Sequence, residues 1–394
     1  MKTNINKKQI KELLMRGVNE VIDYNHLEKR LLSGEKLRIK FGIDPTSPNI
    51  HLGRAVPLLK LRDFQQLGHQ IIFIVGDFTG TIGDTSDKES ERPMLLDKDV
   101  QQNMETYIDQ TGKILDIKKT EIHFNSQWLA KLGYAEIGKQ ADTFSLAEFI
   151  NRENIKKRLT IGKRISLREV LYPLMQGYDS VAVKADLEIG GTDQRFNLLA
   201  GRMLQKNYNQ QPQDIIMLNL ILGTDKRKMS SSWGNTINIF DQPNDMFGKI
   251  MSLSDELMVD YFVHCTRILM EQIEEYKKQL KGGLVNPRDI KMKLANEITK
   301  IYWGEVNAIN AEKYFIDVFQ KKEIFIQMPE MKLANKNIAE ILILSKCVSS
   351  KSEARRLIDQ KGIKIDGEIV ESMEKIINSG SVLQKGKRYF LKII

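Results

Sequence analysis

Apolar and polar residues follow one another in the first half of the chain in a pattern that predicts strands alternating with helices. Residues 37–43 are rich in apolar and β-branched side chains and predict a strand. Apolar positions between Val56 and Leu67 recur at helical spacing, and Gly68 marks the predicted helix end. Residues 71–75 are apolar throughout and predict a buried strand. The resulting βαβ unit offers the free N–H groups of a helix N-terminus to a phosphate.

The alternation continues to about residue 228 and predicts an α/β fold with a Rossmann-like parallel sheet. We expect this catalytic domain to span residues 1–240, with a polar helical segment before residue 35 and a late strand at 217–222. After residue 243 the pattern becomes helical and predicts an all-α domain at 241–326. Its clearest helical runs are 254–262, 269–280 and 289–303.

The C-terminal segment predicts a small α+β domain at residues 335–394, after a polar linker near 327–337. Two short helical runs precede short strands, and Asp366-Gly367 is typical of a hairpin turn. This segment holds 12 Lys or Arg against 7 Asp or Glu, which is more than half of the net charge of +9. Concentrated positive charge favours a polyanion as partner. A solvated, lysine-rich surface would give the same composition.

Composition excludes several other classes of protein. The chain has 394 residues, 41% of them hydrophobic and 28% charged, which is typical of globular domains. Its longest apolar run is far too short to span a bilayer, and its N-terminus lacks the apolar core of a signal peptide. Cys265 and Cys347 suggest neither a disulfide framework nor a zinc site. We therefore expect a cytoplasmic location, no membrane partner and no tightly bound metal.

Two short motifs carry the candidate chemistry. His51-Leu52-Gly53-Arg54 stands where the first predicted strand turns into a helix, and Gly53 would let the backbone approach a ligand closely. Lys228-Met229-Ser230-Ser231-Ser232 follows the late predicted strand. Taken alone the first motif is a weak signal, because an ordinary helix start gives the same pattern. Together the two resemble the paired ATP signatures of class I aminoacyl-tRNA synthetases, written HIGH and KMSKS.

Further motifs narrow the resemblance. In order along the chain they are Phe41-Gly42-Ile43-Asp44-Pro45-Thr46, Gly76-Asp77-Phe78-Thr79-Gly80, Gly83-Asp84, the segment from Tyr172 through Gln176 to Asp179, and Gly190-Gly191-Thr192-Asp193-Gln194. At these positions the chain resembles the bacterial tyrosyl-tRNA synthetases, from about residue 35 to the C-terminus.

The resemblance implies an ATP-dependent tyrosine–tRNA ligase. Such an enzyme joins L-tyrosine to ATP as tyrosyl-adenylate and passes the tyrosyl group to tRNA(Tyr). The resemblance also implies a homodimer, and magnesium that arrives with ATP. The reaction requires that two anions be positioned and that charge on the phosphates be stabilised.

The resemblance implies roles for individual residues. The ATP signature residues are His51, Gly53, Arg54, Lys228, Ser230 and Ser231; Asp44 and Thr46 would line the nucleotide side, and Gly191 and Asp193 would contact the ribose. Asp179 would accept the phenol O–H, with Asp84, Tyr172, Gln176 and Gln194 around the ammonium and carboxylate groups and Gly42 beside them. Tyr172, Gln176 and Asp179 are spaced four and three apart and so share one helix face.

The C-terminal domain resembles a small RNA-binding module that is shared with a ribosomal small-subunit protein. The resemblance assigns phosphate contacts to Arg355, Arg356, Lys364, Lys387 and Arg388.

The chain departs from the family pattern at several positions. Arg54 replaces the second histidine of HIGH, and Ser231 replaces the second lysine of KMSKS. Thr85 and Asp87 differ from the usual Gly-Asp-Pro-Ser-Gly, and Lys40 stands where one bacterial subgroup has tyrosine and another lysine. Arg54 either supplies the positive charge lost at Ser231 or marks a site that has drifted.

Two alternatives to the ligase follow from these departures. One is a paralogue that activates tyrosine or an analogue for another acceptor. The other is an RNA-binding protein with a decayed active site.

Overall fold

The chain forms two compact units, Met1–Ala308 and Ile309–Ile394. This computed structural model describes residues 3–84, 94–319, 329–345, 347–348, 350–386 and 389–394. The sheet and the helices between residues 243 and 303 belong to the first unit. The predicted domain boundary near residue 240 lies inside this unit and stays a prediction.

A six-stranded sheet, in the order β1-β6-β5-β2-β3-β4, forms the framework of the first unit. The strands are β1 (Val18–Ile22), β2 (Arg38–Ile43), β3 (Gln70–Val75), β4 (Thr120–Phe124), β5 (Leu187–Gly191) and β6 (Asp214–Leu218). Strands β2 to β6 pair in parallel, as the α/β pattern predicts. β1 pairs antiparallel with β6 and makes the sheet mixed.

Two sequence predictions for the sheet were wrong in detail. The segment before residue 35 is helical except for β1, which is short and only half-buried and therefore lacks a clear apolar pattern. The late strand spans Asp214–Leu218 and not 217–222. All of its residues are buried, and the strand pairs with β5 on one side and β1 on the other. After Leu218 the chain leaves the sheet and continues to the loop that contains Lys228.

Helices cover the predicted positions closely. Those of the first unit are α1 (Lys7–Met15), α2 (Tyr24–Ser33), α3 (Leu52–Gln66), α4 (Asp77–Ile82), α5 (Asp97–Met104), α6 (Tyr107–Gly112), α7 (Ser126–Leu129), α8 (Tyr134–Asp142), α9 (Leu146–Ile150), α10 (Glu153–Thr160), α11 (Leu167–Val183), α12 (Arg195–Asn207), α13 (Pro243–Met251), α14 (Met258–Cys265), α15 (Met270–Lys281) and α16 (Pro287–Trp303); α17 (Glu305–Phe319) continues into the second unit. Short 3₁₀ helices occupy Ile117–Lys119, Thr192–Gln194, Ser231–Trp233 and Asp255–Leu257.

Buried charges fix the helices that carry the motifs. Lys60 of α3 is 3% exposed and donates to the carbonyls of Leu13 (2.6 Å) and Arg16 (2.8 Å), which satisfies the end of α1. Burial lowers the pKa of Lys60 to about 7. Ser166 and Glu169 form a capping box at the start of α11, and Arg158 pairs with Glu169 at 2.6 Å. These contacts set the position of α11 relative to the preceding helix.

The second unit has its own apolar core. It contains α18 (Ile338–Leu344), α19 (Lys351–Asp359) and the strands β7 (Glu330–Met331), β8 (Lys336–Asn337), β9 (Ile363–Ile365), β10 (Glu368–Ile369), β11 (Ile376–Ile377), β12 (Val382–Lys385) and β13 (Tyr389–Ile393). Asp366 and Gly367 join β9 to β10 with positive φ angles of 53° and 88°, as the predicted hairpin turn requires. β7 and β8 lie in the predicted linker, which is therefore structured from residue 330 onwards.

Among the described residues, no helix combines the length and the apolar composition that crossing a lipid bilayer requires.

Close packing of α11 on α12 generates a test of the fold. A Cβ atom on Gly177 would lie 3.1 Å from backbone atoms of Ala200 and Gly201 and 2.9 Å from Leu204 Cδ1. We predict that Gly177→Ala lowers the free energy of unfolding by about 1–3 kcal/mol, because α12 must move away. Gly138 on α8 has nothing within 4 Å of such a Cβ atom. Gly138→Ala is therefore the control and should be neutral or slightly stabilising in the same denaturant titration. Equal stabilities for the two variants would contradict the packing argument.

Candidate active site

A cavity of about 410 Å³ opens at the carboxyl ends of the parallel strands, where ligands bind in open α/β sheets. The structure brings together here every residue that the sequence assigns to ATP or to tyrosine. They are Gly42, Asp44, Thr46, His51, Gly53, Arg54, Asp84, Tyr172, Gln176, Asp179, Gly191, Asp193, Gln194, Lys228, Ser230 and Ser231. Thr85 and Asp87 lie outside the described residues.

A buried carboxylate marks one end of the cavity. Asp179 of α11 is 3% exposed, and it accepts hydrogen bonds from Trp128 Nε1 (2.8 Å) and Asn125 Nδ2 (3.3 Å). Burial raises the pKa of Asp179 to about 7 against the opposing effects of these donors. A hydroxyl group that donates to this carboxylate would replace part of its lost hydration.

Asp44 joins three elements beside this end. It follows β2, and its two carboxylate oxygens accept from Thr79 Oγ1 of α4 (2.7 Å) and from the Tyr172 hydroxyl of α11 (2.8 Å). Burial raises the pKa of Tyr172 well above its ordinary value, so its hydroxyl stays a donor. A Cβ atom on Gly76 would lie 2.1 Å from Asp44 Oδ1, so only glycine fits there.

Asp84 and Gln176 stand near this group. Burial lowers the pKa of Arg152, and the negative charge of Asp84 opposes this effect, so the carboxylate lies near the guanidinium. The Gln176 amide donates to Glu188 Oε1 at 3.2 Å.

The start of α3 shapes the opposite end of the cavity. His51 is the N-cap residue, 6% exposed, and its Nδ1 has no hydrogen-bond partner among the described residues. Burial, together with the charges of Arg54 and Lys228, lowers the pKa of His51 to about 3. The imidazole is therefore neutral at physiological pH. A Cβ atom on Gly53 would lie 3.1 Å from the His51 ring, and the Gly53 N–H faces Met229 Sδ at 3.3 Å.

Among the described residues, Arg54 is held by hydroxyl groups. Its guanidinium donates to Thr46 Oγ1 (2.6 Å), the Tyr107 hydroxyl (2.7 Å) and Ser47 Oγ (3.5 Å). Ser47 Oγ in turn lies 3.2 Å from Ser231 Oγ. Within the described part of the chain no carboxylate pairs with Arg54, so its charge is available to an anion in the cavity.

The Lys228 loop, which contains residues 228–232, lines the cavity. Lys228 Nζ lies 2.7 Å from Asp193 Oδ2, which joins the loop to the end of β5. Asn235 organises the loop from within, because its side chain accepts from the Ser230 N–H (2.9 Å) and donates to Asp225 (2.7 Å) and the Lys228 carbonyl (3.1 Å).

Several functional candidates were missed by reading the sequence. Asn125 could have been found, because it is a polar residue directly after a strand end. Trp128 and Asn235 carry no local signal, and their roles depend on partners more than four residues away in the chain.

The predicted RNA contacts lie in the second unit. Arg355 and Arg356 are exposed on α19, whose buried face consists of Ala354 and Ile358. Lys364 is half-buried on β9. Lys387 and Arg388 lie outside the described residues.

One group of potential metal ligands occurs elsewhere among the described residues. Asp23, His26 and Asp214 bring their ligand atoms within 4.8 Å of one another. His26 Nδ1 lies 2.9 Å from Asp214, and the Arg30 guanidinium approaches the same carboxylate at 3.9 Å. Because Arg30 brings a positive charge to this group, the group resembles an ion-pair network more than a metal site.

Known proteins of one family match the chain over nearly its whole length. The profile of the family described as "tRNA synthetases class I (W and Y)" matches residues 32–320, and that of the "Tyrosine--tRNA ligase SYY-like C-terminal domain" matches residues 320–392. The tyrosine–tRNA ligase of Thermotoga maritima is 46% identical over 98% of this chain and 97% of its own length. Tyrosine–tRNA ligase 2 of Clostridium acetobutylicum is 46% identical over 98% of both chains.

Solved structures show the same fold. The tyrosyl-tRNA synthetase of Archaeoglobus fulgidus, crystallised with L-tyrosine, has a TM-score of 0.62 at 21% identity and covers 77% of this chain and 99% of its own. The C-terminally truncated mitochondrial tyrosyl-tRNA synthetase of Aspergillus nidulans has a TM-score of 0.64 at 20% identity and covers 80% of this chain and 95% of its own.

These matches confirm the fold class and the enzyme class that the sequence predicts. By its full-length relatives and by both profile matches, the chain belongs to the class I tRNA synthetases of the tryptophan and tyrosine type, on the tyrosyl-tRNA synthetase branch.

Proposed function

We propose that the protein is a tyrosine–tRNA ligase that forms tyrosyl-adenylate from L-tyrosine and ATP and transfers the tyrosyl group to tRNA(Tyr). One observation carries the proposal: a single cavity joins the buried Asp179 carboxylate to the His51, Arg54 and Lys228 group. The first end suits a phenol and the second suits phosphates. Adenylate formation needs both substrates in one cavity, with the tyrosine carboxylate facing the α-phosphate.

Tyrosine-dependent exchange of pyrophosphate into ATP, followed by charging of tRNA(Tyr), tests the proposal directly. Exchange without charging would favour a paralogue that serves another acceptor. Loss of both activities with retained RNA binding would favour a decayed site.

Asp179 supports selection of tyrosine over phenylalanine. Its oxygens already accept from Trp128 and Asn125, and a phenol O–H would add a further donor to a carboxylate that is only 3% exposed. Phenylalanine would leave this acceptor without that donor, and an unpaired buried acceptor costs about 1–3 kcal/mol or more when charged.

We predict that Asp179→Asn keeps the fold and lowers the ratio of tyrosine to phenylalanine activation by about ten-fold or more, because the anionic acceptor is lost. The ratio is measured by pyrophosphate exchange with each amino acid. An unchanged ratio would show that the phenol partner has been misassigned.

The pH dependence gives an internal control for this variant. With its pKa raised to about 7, Asp179 is ionised above that pH and becomes protonated below it. The KM for tyrosine should therefore rise as the pH falls through 7 in the wild type and stay flat in Asp179→Asn.

The other end of the cavity supports binding of the ATP phosphates. The neutral His51 imidazole can donate one hydrogen bond, and the Arg54 and Lys228 cations can offset charge that develops on the phosphates in the transition state. Magnesium, bound with ATP, would supply further positive charge there. Removing Mg²⁺ with EDTA should abolish exchange.

We propose that Arg54 compensates for the lysine that Ser231 replaces. Ser47 lies between the two side chains, at 3.5 Å from Arg54 Nη1 and 3.2 Å from Ser231 Oγ, so both residues border the same part of the cavity. The phosphates need a certain amount of positive charge in the transition state and not a particular side chain.

Under this proposal Arg54→His alone should slow pyrophosphate exchange by about ten-fold, because a preorganised cation is lost. Ser231→Lys alone should do little or should inhibit, and the double variant should recover much of the loss, so the effects should be non-additive. A double-mutant cycle on exchange measures this. Additive effects would reject compensation, and a faster Arg54→His enzyme would mark Arg54 as a defect.

We propose a homodimer because one region of the first unit exposes many large apolar side chains to solvent. Large apolar side chains that face solvent concentrate between residues 134 and 171 of the first unit. They are Tyr134, Leu146, Ile150, Leu159, Ile161, Leu167 and Leu171, of which Tyr134 is 95% and Leu167 78% exposed. Burial against a second copy would remove this surface from water. A monomeric mass in sedimentation at micromolar concentration would contradict the dimer.

Residues 241–326 are proposed to lie on the anticodon side of the bound tRNA, and residues 335–394 to bind its phosphates. The exposed Arg355 and Arg356 on α19 support the second assignment, since cations on one helix face can neutralise a phosphate backbone. A cytoplasmic location fits the two free thiols, Cys265 and Cys347.

We predict that a chain ending at residue 319 retains pyrophosphate exchange but charges tRNA(Tyr) at least about ten-fold more slowly, because the charge that binds phosphates is removed. Affinity for tRNA should fall steeply with salt in the full chain and much less in the shortened one. In the full chain, Arg355→Gln/Arg356→Gln should weaken tRNA binding and leave exchange unchanged. Normal charging by the shortened protein would refute this role.

A further inference from the structure

A buried ion pair lies behind the tyrosine end of the cavity. Lys40 of β2 and Glu188 of β5 approach to 2.9 Å, and their side chains are 0% and 2% exposed. Neither residue lines the cavity. A buried pair contributes little net stability, because the cost of removing two charges from water offsets their attraction. Stability alone therefore does not account for these charges.

Each polar atom of the pair has defined partners. Lys40 Nζ donates to Glu188, to Ser180 Oγ (2.8 Å) and to the backbone carbonyl of Gln176 (2.9 Å). Glu188 also accepts from Ser180 Oγ (3.1 Å), Gln213 Nε2 and Gln176 Nε2 (3.2 Å). A polar network that is satisfied in this way is rigid and favours one arrangement of its members.

The network fixes the side-chain amide of Gln176, which does line the cavity. An ionised Glu188 can only accept, so the amide nitrogen of Gln176 must face it. The side-chain carbonyl oxygen of Gln176 then accepts a hydrogen bond from Asn197 Nδ2 at 3.0 Å. Hydrogen bonds at both ends hold the amide in one orientation. A 180° flip would place its carbonyl oxygen against the Glu188 carboxylate, and two acceptors would then face each other.

We infer that Lys40 and Glu188 are positioning residues for the amino-acid substrate: they fix the orientation of the Gln176 amide and thereby the recognition of the tyrosine ammonium group. The inference deepens the proposed function and rests on it. Lys40 pairs with Glu188 and anchors the turn of α11 at Gln176, while Glu188 selects the amide orientation. Neither residue touches ATP.

The test uses the double variant Lys40→Met/Glu188→Gln, which removes both charges and nearly preserves volume. A glutamine at position 188 can donate or accept, so it no longer selects one orientation of the Gln176 amide. The KM for tyrosine in pyrophosphate exchange should rise by about ten-fold. The KM for ATP should change less than about two-fold, because the pair does not face the nucleotide.

A tyrosine analogue without the amino group, 3-(4-hydroxyphenyl)propionate, separates positioning from general damage. Its inhibition constant should be the same in the wild type and the double variant, since it presents no ammonium group. Arg38→Met/Glu121→Gln is the matched control, because this ion pair of 2.8 Å begins on the same strand but is more than one-third exposed. The control should keep the wild-type KM for tyrosine.

A wild-type KM for tyrosine in the double variant would overturn the inference. So would an equal loss of affinity for tyrosine and for the analogue, which would indicate a merely structural role. If the double variant does not unfold cooperatively, the KM for tyrosine and the inhibition constant of the analogue are measured in Glu188→Gln alone. Failure of the wild type to exchange with tyrosine would instead refute the proposed function.

Discussion

The end of the cavity that contains Asp179 depends on the carboxylate of Asp44. It accepts from the Tyr172 hydroxyl and from Thr79 Oγ1. Asn125 donates to Thr79 Oγ1 (2.9 Å) and to Asp179, which lies on the same helix as Tyr172. The hydrogen bonds therefore form a ring that begins and ends on α11 and passes through residues that follow β2 and β4. All members of the ring except the half-buried Asp44 are buried, so displacement of one member would leave another without its partner.

A second network meets the same helix from behind. The ring holds Tyr172 and Asp179, and the Lys40–Glu188 pair holds Gln176 between them. Three side chains on one helix face are thus fixed from two directions, largely by residues on or directly after β2, β4 and β5. A site held in this way loses little conformational entropy when a ligand binds.

The sequence predicted the parts of this site that depend on local order. Asp44 directly follows the predicted strand at 37–43 and lines the cavity, whereas Asn125, which directly follows β4, was not predicted. The sequence could not give the pairing of β1 with β6, because antiparallel addition at a sheet edge leaves no periodic signal in a half-buried strand. The sequence also could not predict the ion pair of Glu188, because Glu188 is a single polar residue in an apolar strand and its partner Lys40 lies far away in the chain.

The ion pair between Lys228 and Asp193 sets a threshold on the charge of anions that can engage the loop. An anion draws Lys228 away only if it attracts the ammonium group more strongly than a carboxylate that is already in place at 2.7 Å. A triphosphate carries several negative charges close together, whereas inorganic phosphate and nucleoside monophosphates carry fewer. Small anions of lower charge therefore attract the ammonium group less strongly than a triphosphate does.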